Sequence, residues 1–176
     1  MPAAEPIDLK TLIRDVADFP KPGILFKDIT PLLRRPEAFR ATIQGLAEPF
    51  RHRKIDLVAA AEARGFIFGA PLALELGVGF VPIRKPGKLP YKTISQEYQL
   101  EYGSDRLEVH EDAFGPGLRV LLLDDVLATG GTMSACRGLV EGTGSEVVAC
   151  AFVVELRFLE GRSRLQNVEL FSLLTF

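Results

Sequence analysis

Four runs of consecutive apolar residues constrain this chain most: IDLVAAA from Ile55, VGFVPI from Val78, LRVLLL from Leu118 and EVVACAFVVEL from Glu146. A strand with one face in water alternates apolar and polar residues. A run that is apolar at nearly every position needs cover on both faces, as in a parallel sheet sandwiched between helices. Helical segments follow the first and third runs, GFIFGAPLALEL and GGTMSACRGLVEG. Strand, turn and helix in repetition predict a doubly wound α/β core with a mainly parallel sheet flanked by helices.

Around that core, apolar spacing predicts a helix from Ile7 to Val16 and a second from Pro36 to Phe50, the latter opening on a proline in its first turn. Between them, FPKPGILFKDITPLL is punctuated by prolines, a composition for fixed, non-helical backbone folded onto the body. From Lys85 to Val109 runs a polar stretch whose start reads as a mobile loop and whose later part alternates like a hairpin, an insertion suited to a lid. With 176 residues and 47% hydrophobic content the expected organisation is one domain, 1–176. Its N-terminal segment, about 1–35, and its C-terminal tail are expected to form a small cap.

A net charge of −2 gives no basic field for nucleic acid or anionic lipid, so any anion site must be local. Apolar runs fall short of the ~20 residues of a membrane span, and MPAAEPIDLK lacks signal-peptide character, which predicts a cytoplasmic protein. Cys136 and Cys150 lie in apolar segments without C-x-x-C spacing and read as core residues. His52 and His110 have no partner in the sequence pattern, and ligands for a zinc site are lacking.

The segment VLLLDDVLATGGT carries the chemistry. Asp124 and Asp125 fall where a strand ends, and Ala128, Thr129, Gly130, Gly131 and Thr132 form a small-residue turn at a helix start. Such a turn can present successive backbone N–H groups to one phosphate, helped by the Thr129 and Thr132 hydroxyls and the helix dipole. There is neither a G-K-[ST] Walker loop nor a G-x-G-x-x-G dinucleotide fingerprint.

This segment resembles the phosphoribosyl pyrophosphate (PRPP) signature of type I phosphoribosyltransferases. FPKPGILFKDITPLL, EARGFIFGAPLA, VPIRKPGKLP, YQLEYG and VVEL occur in the order found in adenine phosphoribosyltransferases, bacterial ones especially. The resemblance implies the type I phosphoribosyltransferase fold and transfer of the phosphoribosyl group of PRPP to adenine, giving AMP and pyrophosphate. Mg²⁺ is then expected on substrate oxygens and water rather than in a protein cage, and the protein is expected to be a homodimer. Asp124 and Asp125 are expected on the ribose hydroxyls, the Ala128–Thr132 turn on the 5′-phosphate, and Arg64 with Arg84, Lys85 and Lys88 on pyrophosphate. Leu25, Phe26 and Lys27 would pair adenine through backbone groups, with Phe26 and Leu156 as apolar walls. The resemblance also implies an unusual backbone, a cis peptide among the options, at Glu62 and Ala63.

Proton transfer discriminates within the family. Where 6-oxopurine enzymes keep an Asp in the phosphate motif, this chain has Ala128, so Glu101 in YQLEYG is the expected base and Tyr102 its positioning neighbour. Lys27 stands where many relatives have Arg, and Glu62–Ala63 where animal members have Asp-Ser. The rival readings are another purine or a pyrimidine phosphoribosyltransferase and a PRPP-sensing regulator, which would need an added DNA-binding domain.

Overall fold

The structure, a computed structural model, describes residues 7–99 and 104–176. Its elements, in chain order, begin with strands β1 (Arg14–Ala17) and β2 (Leu25–Asp28) and helices α1 (Thr30–Leu33) and α2 (Pro36–Ala47). Strand β3 (Leu57–Ala61), helix α3 (Arg64–Leu76) and strands β4 (Gly79–Ile83), β5 (Thr93–Gln99) and β6 (Ser104–His110) follow. Strand β7 (Arg119–Leu127), helix α4 (Gly131–Glu141) and strands β8 (Glu146–Glu155) and β9 (Leu170–Thr175) complete the order.

Five strands form one parallel sheet in the order β4-β3-β7-β8-β9. Neighbouring residues of each central strand feed opposite faces. On β7, Leu121 and Leu123 join the core under α2 and α3, while Val120 and Leu122 join the core under α4. Strand β8 divides likewise, with Ala149, Ala151 and Val153 on one side and Cys150 and Phe152 on the other. This two-sided burial is why the strands are apolar throughout. Helix α2 buries Ala38, Thr42, Ile43, Leu46 and Ala47, one stripe of a 3.6-residue period, and starts on Pro36 after an extended Arg35.

Three expectations are corrected. The segment Ile7–Val16 is not one helix: Asp8 caps a 3₁₀ turn over Leu9–Leu12, Ile13 is extended, and β1 then pairs antiparallel with β2. The pairing is closed by Arg14, whose Nη2 donates to Asp28 Oδ2 at 2.5 Å, a long-range partner that local periodicity cannot reveal. The connector is fixed, as expected, but not wholly non-helical: after the strand β2 it ends in the helical turn α1. The C-terminal tail is largely the fifth strand, β9, although Phe176 does reach the N-terminal segment, its ring lying under the ammonium groups of Lys10 and Lys27 at 4.7 and 4.3 Å.

The alternating insertion is the antiparallel hairpin β5–β6, with Thr93 opposite His110 and Gln99 opposite Ser104. Its base is fastened to the sheet by reciprocal backbone bonds between Arg84 and Glu108, 2.8 and 2.6 Å long. Leu107 and Val109 plug into the α4-side core. Cys136 and Cys150 are both free and buried, and burial pushes the Cys150 thiol up to about 12, an inert core role.

Candidate active site

The strand order reverses between β3 and β7, because the chain winds outward to β4 in one direction and to β8 and β9 in the other. Carboxyl ends of strands flanking such a reversal leave a crevice, and in open α/β sheets that crevice binds ligands. From β3 it receives Glu62, Ala63 and Arg64; from β7, Asp124, Asp125 and the turn beyond them. The Glu62–Ala63 peptide bond is cis, as the resemblance implied.

A cavity of about 260 Å³ fills the crevice, lined in part by Glu62, Arg64, Lys85, Asp124, Asp125 and Thr132. A smaller one of about 70 Å³ adjoins it, sharing Asp124 and Thr132, and is walled by Ala128, Thr129, Gly130 and Gly131. Here the chain turns from strand into helix: Gly130 has φ 81° and caps α4, a conformation that other residues reach only at a cost of ~1–2 kcal/mol. The structure therefore brings the acidic pair and the phosphate-type turn side by side.

Asp125 is not a solvent-facing carboxylate, as a strand-end position suggests, but only 4% exposed. It accepts a short charged hydrogen bond from Arg64 Nε, while its own backbone N–H donates to Asp124 Oδ1 at 2.8 Å. Burial, reinforced by the neighbouring charge of Asp125, pushes the Asp124 carboxyl well above the usual carboxylate range. Partial burial works against the Arg64 charge, but Asp125 outweighs it and holds the guanidinium more firmly protonated. Arg64 Cζ also lies 5.6 Å from the centre of the Phe26 ring, which brings β2 to the edge of the crevice.

The second cationic group is divided. Lys85 lines the cavity and donates to Asp105 Oδ2 at 2.8 Å, which raises its own pKa and lowers that of Asp105. Arg84 is held just below, donating to Glu62 Oε2 at 2.8 Å and to the Lys88 carbonyl at 3.1 Å. Among the described residues neither Arg84 nor Lys88 lines the cavity, and Lys88 is exposed. Tyr98 was not anticipated. It lines the cavity from β5, hydrogen-bonds Asp105 Oδ2 at 3.3 Å and reaches the Thr132 hydroxyl; desolvation raises its pKa. The alternation of Ile94, Gln96 and Tyr98 on one hairpin face was the available signal.

Leu25, Phe26 and Lys27 lie in the two-stranded ribbon β1–β2, where Phe26 stands opposite Val16. In such a ribbon every second residue turns its N–H and C=O away from the partner strand, leaving backbone groups for a ligand. The Lys27 side chain is committed elsewhere, donating to Asp15 Oδ1 at 2.5 Å and lying over Phe176. Leu156 is buried at the end of β8, its N–H bonded to the Leu127 carbonyl at 2.9 Å. Glu101 and Tyr102 lie outside the described residues.

The chain matches the phosphoribosyl transferase domain family over residues 29–173. It is 61% identical over 168 residues to an adenine phosphoribosyltransferase of Methylococcus capsulatus, covering 96% of this chain and 98% of that protein. Its fold superimposes on the crystal structure of adenine phosphoribosyltransferase from Thermoanaerobacter pseudethanolicus with a TM-score of 0.93 and 56% identity, covering 96% and 98% of the two chains. With the Saccharomyces cerevisiae enzyme, solved with an imino-altritol bisphosphate and adenine, the TM-score is 0.89 and the identity 44%, covering 94% and 96%.

Proposed function

Because the chain belongs to the phosphoribosyl transferase family, and within it to the adenine phosphoribosyltransferases, we propose that the crevice between β3 and β7 is where the family reaction takes place. That reaction transfers the 5-phosphoribosyl group of PRPP to adenine, giving AMP and pyrophosphate in purine salvage. The observation that carries the assignment is the meeting of Asp124, Asp125, Arg64 and the Ala128–Thr132 turn in adjoining cavities.

The bond from the anomeric carbon to pyrophosphate breaks as one to adenine N9 forms, and positive charge develops on the ribose. The smaller cavity takes the 5′-phosphate on the N–H groups and hydroxyls of Ala128, Thr129, Gly130, Gly131 and Thr132. Asp124 and Asp125 accept hydrogen bonds from the ribose 2′- and 3′-hydroxyls and place negative charge beside the developing cation. Arg64 and Lys85 receive the departing pyrophosphate, joined by Lys88 and by Arg84 when substrate draws the latter from Glu62.

Adenine lies against Phe26 and Leu156 and pairs with those backbone groups of the Leu25–Lys27 segment that turn away from β1. Adenine has an N6 donor beside an N1 acceptor, and hypoxanthine reverses that order, so backbone pairing discriminates without an ionised side chain. The proton released from N7 goes to Glu101, with Tyr102 beside it, because Ala128 leaves the phosphate turn without a base.

Among the described residues no group of three or more His, Cys, Asp or Glu side chains could hold a metal ion. A Mg²⁺ carried on pyrophosphate and ribose oxygens would have Asp124 and Asp125, which line the crevice, to orient its waters. When bound, the ion offsets the charge gathering on the leaving pyrophosphate. The proposal places the enzyme in the cytoplasm as a homodimer: its cysteines are free, and Leu74 and Phe158, 82% and 67% exposed, offer apolar surface for a second copy to cover. Calorimetric titration with AMP and IMP tests the base assignment. AMP is expected to bind ~10²–10⁴-fold more tightly, and equal affinities would overturn backbone pairing.

A further inference from the structure

The phosphate turn is braced by a segment far along the chain. A Cβ built on Gly130 would stand 2.5 Å from the carbonyl oxygen of Gly161, and one built on Gly161 would collide with the carbonyl oxygen of Ala128. Two glycines thus let two turns touch backbone to backbone, and the 3₁₀ turn Gly161–Arg164 forms a wall behind Ala128 and Gly130.

What holds that wall is an ion pair. Arg162 Nε and Nη2 donate to the two carboxylate oxygens of Glu155 at 2.7 Å each, and Nη2 reaches Ser172 Oγ on β9 at 3.5 Å. Glu155 is 3% exposed at the end of β8, in register with Leu127, the residue that leads into the phosphate turn. The Arg162 hydrogen bonds hold its carboxyl below the usual range. A two-pronged guanidinium–carboxylate pair fixes both distance and orientation, which a single lysine contact does not. Neither residue lines the 70 Å³ or the 260 Å³ cavity.

We propose that Arg162 and Glu155 are positioning residues for PRPP, which through Gly161 hold the backbone of Ala128–Gly130 where its N–H groups meet the 5′-phosphate. The inference rests on the assignment of that turn to the 5′-phosphate. A displacement near 1 Å in a binding backbone costs far more in affinity than in fold.

The test compares Arg162→Lys, which keeps the charge and loses the fork, with Arg162→Gln, which loses both, using AMP, adenine and Mg²⁺-pyrophosphate as calorimetric probes. AMP affinity and the KM for PRPP are expected to worsen ~10–100-fold in the order wild type, Lys, Gln. Adenine and pyrophosphate affinities should hold within about twofold, as should kcat at saturating PRPP, since those groups bind elsewhere. Should the Gln variant not fold, Arg162→Lys alone carries the comparison. Unchanged AMP affinity, or equal losses for all three probes, overturns the brace. Wild-type protein that binds adenine and pyrophosphate but no AMP overturns the assignment of the turn itself, and the brace with it.

Discussion

Arg64, the first residue of α3, donates its Nε hydrogen to Asp125 at the end of β7, and this ion pair spans the gap at which the strand order reverses. The proposed pyrophosphate clamp and the proposed ribose anchor therefore hold each other before substrate arrives. A pyrophosphate oxygen can replace Asp125 on the guanidinium, releasing the carboxylate for a ribose hydroxyl.

Changing both carboxylates to amides, Asp124→Asn with Asp125→Asn, removes charge and keeps volume. Arg64, whose side chain is half exposed, can rehydrate when its partner loses charge, so the protein is expected to fold. Turnover is expected to fall by ~10²–10³ or more, the usual cost of losing preorganised electrostatic stabilisation. Circular dichroism beside steady-state rates checks both halves, and wild-type turnover would sink the ribose assignment.

The raised pKa of Asp124 has a stability consequence. In the unfolded chain the group ionises near ~3.9; in the folded chain burial, then the charge of Asp125, move that point well upward. The folded state is thus favoured while the group stays protonated, and that advantage is lost as pH rises from the unfolded value through the folded one. Asp124→Asn, never charged, escapes the loss. Its melting midpoint is expected to exceed that of wild type at neutral pH, by ~2–4 °C per kcal/mol recovered, and the gap should close toward pH ~4. A gap that stays constant across that range contradicts the account.

The legible parts of this molecule are those set by local pattern. Val58 and Ala60 face one core while Ala59 and Ala61 face the other, so β3 had to be apolar throughout and could be read as a covered strand. Asp124, Asp125 and the Gly130–Gly131 turn announced a strand end and a helix start. What stayed hidden depends on distant partners. Leu9, Leu12, Ile13 and Val16 fit a helical spacing, yet only a 3₁₀ turn forms over Leu9–Leu12, and from Arg14 the chain is a strand because β2 is there to pair with it. Leu170–Thr175 looked like a tail because β8, its partner, gives no local sign of needing a fifth strand. Gly161 and Arg162 carry no motif, and their place behind the phosphate turn follows only from the meeting with Gly130 and Glu155.

Glu101 supports the sharpest kinetic expectation. Glu101→Gln keeps size and much hydrogen bonding but cannot take the N7 proton, so turnover should fall by ~10²–10⁴ with PRPP affinity little changed. Single-turnover rates against pH isolate the chemical step from substrate binding and product release. A smaller loss with the acidic limb of the profile retained points to positioning, and a chemical step at the wild-type rate removes Glu101 from the chemistry.

The most direct measurement is pyrophosphate release from PRPP and Mg²⁺ with adenine, hypoxanthine, guanine, xanthine and orotate each supplied in turn. Adenine should support turnover with kcat/KM ~10⁴ above hypoxanthine, because a backbone-paired site mispairs two buried groups with the 6-oxopurine, and AMP should accumulate in step with pyrophosphate. Comparable rates with hypoxanthine or orotate, or no release with any base, would contradict the assignment of the crevice between β3 and β7 to adenine phosphoribosyl transfer.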